Sequence, residues 1–349
     1  MSHVMTVRGP IDPSEVGPTL THEHIFMDGR GGWDPSELHD RSIGERPLEP
    51  RTAGIARWNG SGIRDNLALL HDDDYDLLRG EVAEFVDATD GKGVLVELTI
   101  VGINPQPAAL LKLSNDLDLH IVEGCGYYVH GTHPESLEDK SVDEIADELH
   151  KIVTEGFDGT SVRPGVIGEI GTSEELEPCE IRVLQASARV AIKTGLPINI
   201  HAHPPKLPVM MRILDVLEEA GHDLRRTSIS HLDEIWDLDY HTHILKRGVI
   251  TGFDSFGQDG YFSPTWKSMS DHTKMTTMVA LIEKGFEDQL VMSQDICKKH
   301  YLLEFGGLGY DHVVRRIAPR LKTVFGVDDA IIDKLLVQTP RRFLTVDQD

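Results

Sequence analysis

The chain has 349 residues, 40% of them hydrophobic and 26% charged, ordinary values for a soluble protein large enough to bury a core without disulfides. Its 58 acidic residues against 34 basic ones give a formal net charge of −24, which argues against a nucleic-acid or anionic-membrane partner. The three cysteines, Cys125, Cys179 and Cys297, form no C-x-x-C pair, so neither a disulfide framework nor a zinc knuckle is expected.

The N-terminal stretch lacks the apolar segment of a secretion signal, and no apolar run reaches the ~18 residues that suggest a membrane span. Cytoplasmic residence is therefore the expectation. Strands are predicted at 19–25, 93–100, 120–128, 165–170, 197–202, 227–232, 249–256 and 289–295. Several are short apolar runs bounded by glycine or proline, as strands buried on both faces are. Between them, residues 76–89, 142–154, 181–194, 209–220, 238–246 and 274–283 carry helical periodicity. Gly91, Gly156, Gly195, Gly221, Gly248 and Gly285 follow these helices, which is C-terminal capping chemistry repeated unit by unit.

Strand followed by helix, repeated, implies parallel βα units. Eight of them predict an α/β protein folded as one (β/α)8 TIM barrel over residues 1–349, although an open doubly wound sheet has the same alternation. Residues 28–74 break the rhythm: they show no clear period and hold Trp33 and Trp58. A shorter irregular stretch follows the seventh strand at 257–271. In a barrel both lie over the C-terminal rim, where active sites sit. The first is expected to form part of a pocket wall, with anchoring of a loop or a subunit contact as the equal alternative for its tryptophans.

The chain has 18 histidines, and histidine is the commonest metal ligand. His22 and His24 end the first strand, where residues two apart project to the same side and Glu23 points away. The same spacing recurs at His201/His203 and His241/His243. The last pair falls in a helical stretch where such residues diverge, so it reads as surface. Glu169 lies within the apolar run GVIGEIG, where a carboxylate is costly unless it is paired or bound to a metal. A salt bridge to an arginine is the plain alternative. His201, His231 and Asp295 end the fifth, sixth and eighth strands. Metal-type side chains thus gather at strand ends that converge on one barrel mouth.

The ordered motifs LTHEH, GEIGTS, INIHAH, SISHLD, MSQDI, GGLGYDHV and TPRRFL resemble the phosphotriesterase-like family of the amidohydrolase superfamily over nearly the whole chain. The resemblance implies that His22, His24 and Asp295 hold a buried metal, that His201 and His231 hold a more exposed one, and that Glu169 bridges them. Many members use a carbamylated lysine as the bridge. GVIGEIG contains none, so the chain is similar to the bridging-glutamate branch of phosphotriesterase-related proteins. The implied cofactor is two divalent ions, zinc first, with manganese or cobalt tolerated by a nitrogen-rich site without thiolates.

The implied reaction is attack of a metal-bridging hydroxide on a lactone, ester or amide carbonyl, with Asp295 as the catalytic proton acceptor. Phosphoester or phosphotriester hydrolysis and a non-catalytic ligand-binding barrel are the alternatives. The third is disfavoured because all six metal positions carry competent ligands. No Gly-rich dinucleotide fingerprint follows an early strand, so redox chemistry is not expected. The histidine through which several members relay a proton on the seventh strand is missing: the segment reads GFDSFG, with Asp254 and Ser255. Asp233, two residues after His231, is a candidate for orienting a ligand, and a loop-capping aspartate is the equal alternative. Tyr128, His203, Lys298 and Lys299 are candidate substrate contacts. For the two lysines, which would meet an anionic small molecule, solvation or pairing with surface acids is the competing reading. A homodimer is compatible with the sequence.

Overall fold

The computed structural model describes residues 2–202, 206–263 and 266–347. Eight parallel strands lie side by side in chain order: β1 (Thr19–Glu23), β2 (Val94–Glu97), β3 (His120–Cys125), β4 (Val166–Thr172), β5 (Ile198–Ala202), β6 (Thr227–Ile229), β7 (Ile250–Phe253) and β8 (Leu290–Met292). Helices α1 (His71–Ala88), α2 (Pro107–Leu117), α3 (Val142–Glu155), α4 (Pro178–Thr194), α5 (Leu207–Glu219), α6 (Leu238–Leu245) and α7 (Asp271–Glu283) join successive strands. This is the (β/α)8 barrel that the alternation predicts.

The sheet is closed by side chains as much as by backbone. Asp295 N donates to His22 O at 3.1 Å across the β1–β8 seam. The Glu23 carboxylate accepts from Gln294 N at 2.8 Å and Ile296 N at 3.0 Å, and its Oε1 lies 2.6 Å from the Ser293 hydroxyl. Glu23 does point away from its histidine neighbours, and what it reaches is the opposite edge of the barrel. Burial pushes its pKa up to about 7 against the pull of those donors.

Inside the barrel Val94, Val96, Leu98, Val122, Val166, Ile250 and Val291 pack together. Val4, Val16, Phe343 and Leu344 join them. Two larger apolar clusters lie between the strands and the surrounding helices. Branched side chains facing both ways explain why the strands read as continuous apolar runs rather than alternating ones.

Three expectations change. Helix α2 was not among the predicted helices. It begins with Pro107 in its first turn and ends at Asp118, which takes φ 47 where the other units place glycine, so the capping signal is absent from its sequence. Residues 28–74 are not without structure: Met27–Asp28 pairs with Ala68–Leu69, and Pro50–Trp58 is a helix. His241 is buried rather than at the surface, with Nε2 2.6 Å from Ile235 O, because α6 turns that face toward β7; His243 is exposed as read.

Candidate metal centre

Strand ends were predicted to run through His231 and Asp295, but β6 stops at Ile229 and β8 at Met292. Both residues sit beyond the ladder in the left-handed region, His231 at φ 61 and Asp295 at φ 48. Such a conformation is uncommon outside glycine, and it clusters at functional sites. Here it accompanies the approach of both side chains to the mouth.

His22 Nε2, His24 Nε2 and Asp295 Oδ1 form one trio, separated by 3.3, 3.8 and 3.3 Å. Glu169 Oε2, His201 Nδ1 and His231 Nε2 form another, separated by 3.1, 3.7 and 3.0 Å. Donors bonded at ~2.0–2.2 Å to a four-coordinate ion lie roughly 3.3–3.6 Å apart, so each trio lies within a few tenths of an ångström of the spacing of a ligand set. Glu169 also faces the first trio, with Oε2 3.1 Å from His22 Nε2 and Oε1 3.5 Å from His24 Nε2. Its two oxygens therefore point at both halves of the cluster. The second trio is the more accessible, with His201 and His231 side chains 15% and 11% exposed against 1% and 3% for His22 and His24. Gly168 makes room for this arrangement: a Cβ there would lie 2.2 Å from Asn199 O on β5.

Partners behind the cluster set the imidazole tautomers. His22 Nδ1 lies 3.0 Å from Asp254 Oδ2, and His231 Nδ1 lies 3.1 Å from Asp254 Oδ1, which also accepts from His231 N at 2.8 Å. One carboxylate thus takes an N–H from each histidine and leaves both Nε2 lone pairs facing the cluster. The His22–His231–Asp254 grouping uses these rear nitrogens, so it orients ligands rather than forming a further ion site. Behind His24, Nδ1 lies 3.0 Å from Thr99 Oγ1, whose proton goes to Glu97 Oε1 at 2.6 Å. His201 differs, presenting Nδ1 to the cluster while Nε2 lies 3.2 Å from the Tyr128 hydroxyl.

The electrostatics agree. Burial lowers the affinity of His22 and His231 for a proton, but Glu169 and Asp254 raise both well above the ordinary range. Burial likewise opposes protonation of His24, and contacts with Asp295 and Glu169 overcome it, raising its pKa to about 10. Burial alone would raise Glu169 and Asp295, yet the surrounding histidines hold both below the usual carboxylate range. The pocket demands positive charge at its centre, which protons or divalent ions supply in competition.

The remaining candidates separate. Asp233 shares neither a hydrogen bond nor an ion pair with the His231 side chain. Its carboxylate accepts from Ser255 N and Oγ at 2.9 Å, 3.9 Å from the buried Lys274 ammonium, so it holds the loop after β7. Asp254 has the orienting role expected of Asp233. Tyr127 turns outward to Glu148 Oε2 at 2.9 Å, whereas Tyr128 sits on the His201 ring. Burial, reinforced by Glu169 and Asp295, raises the Tyr128 pKa and keeps its hydroxyl protonated. Lys299 is paired with Asp65 and Asp74, both at 3.0 Å, and it ties residues 28–74 to the eighth loop. Lys298 is neither solvated nor paired with a surface acid. It is buried, donates to Phe262 O at 2.8 Å, and lies 3.2 Å from the centre of that ring. Trp33 Nε1 donates to Gly62 O at 3.1 Å, an anchoring contact, while Trp58 is 66% exposed beside Tyr261. His203 lies outside the described residues.

The sequence reading passed over Glu97 and Thr99. The signal was present, since Glu97 is a carboxylate in the apolar run VLVELTI, the same anomaly that marked Glu169.

The sequence profile of the phosphotriesterase family matches residues 2–344. This chain belongs to that family. It is a hydrolytic enzyme, and the curated relatives span it almost end to end. An N-acetyltaurine hydrolase of Tetraodon nigroviridis is 35% identical over 347 residues, covering 98% of this chain and 97% of its own. The Homo sapiens protein of that name is 32% identical with the same coverage. Among solved structures, a resiniferatoxin-binding protein from Rhodobacter sphaeroides aligns with TM-score 0.93 at 35% identity, covering 98% of this chain and 94% of that one. A lactonase from Listeria monocytogenes aligns with TM-score 0.79 at 22% identity, covering 99% of this chain and 100% of that one, a likeness of fold. This phosphotriesterase-family enzyme has, among its described residues, no helix long and apolar enough to cross a membrane.

Proposed function

We propose that the enzyme hydrolyses the carbonyl–heteroatom bond of a small anionic substrate, an N-acyl amide first and a lactone or ester second, using two divalent ions. The observation that carries this reading is Glu169, whose two oxygens face both trios of nitrogen and oxygen donors. His22, His24 and Asp295 would hold one ion, His201 and His231 the other, and Glu169 both. A nitrogen- and oxygen-donor set without thiolate suits zinc, with manganese or cobalt as substitutes. When bound, such ions supply Lewis acidity, lowering the pKa of water and polarising the substrate oxygen.

The protein's own groups supply the rest. Asp295 Oδ1 stays with His22 and His24, and its carboxylate accepts the proton released when water attacks. Tyr128, protonated and next to His201, donates to an oxygen of the substrate. Lys298, three residues beyond Asp295, meets the anionic end. Burial lowers its pKa to about 8, so it is predominantly cationic at neutral pH. The relatives named N-acetyltaurine hydrolase support an amide whose other end is a sulfonate. Lys299, already committed to Asp65 and Asp74, is left out of the substrate contacts.

The test is turnover by the metal-loaded enzyme on matched N-acyl aminosulfonates, N-acyl amino acids, neutral N-acyl amines, lactones and phosphotriesters. The expected result is a preference for anionic amides. Faster turnover of phosphotriesters would place the phosphoester reading first, and none on any class would favour a binding protein.

A further inference from the structure

The TPRRFL motif plays no part in the reaction described above, and it lies at the other end of the barrel. Helix α8 (Thr339–Leu344) carries Arg341 and Arg342. Together with Arg226, Pro13, Gln338 and Asp347 they line a solvent-open pocket of about 380 Å³, in which Arg342 is exposed and Arg226 and Arg341 are half-buried. The carbonyls they contact mark its location. Arg226 donates to Gly195 O, shortly before β5, and to Arg342 O, both at 2.9 Å. Arg341 donates to Val16 O, before β1, at 2.6 Å, and Arg342 donates to Asp288 O, before β8. This is the face where strands begin, opposite the metal ligands at their ends.

Charge makes the cluster unusual. In a chain with 58 acidic residues, arginines such as Arg8, Arg30, Arg189 and Arg247 each have a carboxylate partner. Among the described residues Arg226, Arg341 and Arg342 have no carboxylate at ion-pair distance: their hydrogen-bond acceptors are main-chain carbonyls, and Asp347 and Asp223 act on Arg226 only from farther away. The one acid on the wall, Asp347, accepts from the Ser2 hydroxyl at 2.6 Å and offsets the Arg226 charge only in part, without an ion pair. Arg341 Nε is buried without a hydrogen-bond partner. A guanidinium has five N–H donors in a fixed fork that matches oxyanions, and a neutral carbonyl satisfies a donor without compensating its charge.

We infer that this cavity is a second, non-catalytic site for a small molecule bearing a multiply charged oxyanion, a phosphate or a polycarboxylate. Arg226 and Arg342 both line it, and carbonyl contacts tether their guanidiniums. Because the same guanidiniums bridge α8 to the entrances of β5 and β8, an anion there fastens the chain's C-terminal helix to the barrel floor. It stabilises the fold while leaving the chemistry at the mouth unchanged.

The test is calorimetric titration of inorganic phosphate, and separately of citrate, into the metal-loaded enzyme at fixed ionic strength. Arg342→Met, Arg342→Lys and a chain ending after Asp347 are titrated in parallel, each checked for parental circular dichroism. Binding that competes with substrate belongs to the metals and is set apart by activity. The expected result is a further binding event that does not compete with substrate. It should be weaker by on the order of tenfold or more in Arg342→Met, the loss of one charge-assisted hydrogen bond, and largely kept in Arg342→Lys, with kcat parental in both. Preference for phosphate over citrate, or the reverse, names the class of ligand. Parental affinity in Arg342→Met, or no event beyond the competitive one, would overturn the site. Tighter binding by the shortened chain would overturn it too, by showing that the segment removed had been the occupant.

Discussion

Replacing Asp254 by Asn isolates what one buried carboxylate does for two histidines. The side chain keeps its volume, but it can present only one acceptor oxygen where the native carboxylate presents two. If that oxygen stays with His231, whose N and Nδ1 lie 2.8 and 3.1 Å away, the amide NH2 faces His22 Nδ1, which was 3.0 Å from Oδ2. Two donors then meet. His22 then either keeps its Nδ1 proton on Ser230 Oγ alone, 2.9 Å away, with the amide pressed against it, or moves the proton to Nε2, the nitrogen aimed at the cluster, and a protonated Nε2 cannot ligate. Leaving a buried polar group unsatisfied costs about 1–3 kcal/mol. Losing the partner behind a metal-bound histidine typically costs about 10–100-fold in metal affinity, which at ~1.4 kcal/mol per tenfold is the same range. The effect should be unequal, falling mainly on the trio of His22, His24 and Asp295. Competition between the protein and a graded series of chelators for zinc resolves the two ions, and circular dichroism checks the fold. Asp254→Ala should weaken both sites. Gly252→Ala should act on the same carboxylate sterically, since a Cβ there would lie 2.5 Å from Asp254 Oδ2. If Asp254→Asn holds both ions within about twofold of the parent, a change far below the 10–100-fold expected, the tautomer argument is wrong.

Glu169→Gln should release at least one ion more readily, because an anion facing two cations becomes neutral. Reconstitution of the parent should show no dependence on bicarbonate, and parental retention by the variant would exclude Glu169 as the bridge. Asp295→Asn should keep the fold and lose roughly 10²–10⁴ in kcat with its proton acceptor, measured on any substrate the parent turns over. Lys298→Met should raise KM selectively for an anionic substrate over its neutral counterpart. Since the Lys298 pKa is lowered by burial to about 8, the ammonium is present below that pH and lost above it. KM for the anion should therefore climb as pH rises through about 8, and that climb should vanish in the Met variant; equal shifts for charged and neutral substrates would remove Lys298 from recognition. Glu23→Gln should destabilise the protein by about 1–3 kcal/mol in urea unfolding, because one donor at the β1–β8 seam then faces an NH2 group. An unchanged midpoint would mean the seam does not depend on that carboxylate.

Local chemistry carried much of this into the sequence. Two histidines two residues apart on a strand at His22 and His24, a carboxylate stranded among apolar residues at Glu169, and polar residues at or just beyond strand ends at His201, His231 and Asp295 are all visible in short windows. The barrel was legible for the same reason, since glycine caps and apolar runs recur with each unit. Helix α2 escaped because Asp118 takes a backbone conformation that glycine usually announces. Glu97 escaped although its setting matched that of Glu169.

What the sequence could not determine depends on closure of the barrel. Asp254 meets His22 across 232 residues of chain, and Glu23 meets Gln294 across 271. Nothing in either neighbourhood indicates the other. Lys298 and Lys299 are adjacent and chemically identical, yet one faces two aspartates and the other an aromatic ring and a carbonyl. The choice of Nδ1 over Nε2 at His201 belongs to the same class. Residue type sets which atoms can bind a metal, accept a proton or carry a charge, and strand alternation sets which way they point. Which partner each one finds is decided when elements distant in sequence pack together, because hydrogen bonds and ion pairs act over a few ångströms and the fold alone brings those atoms within reach.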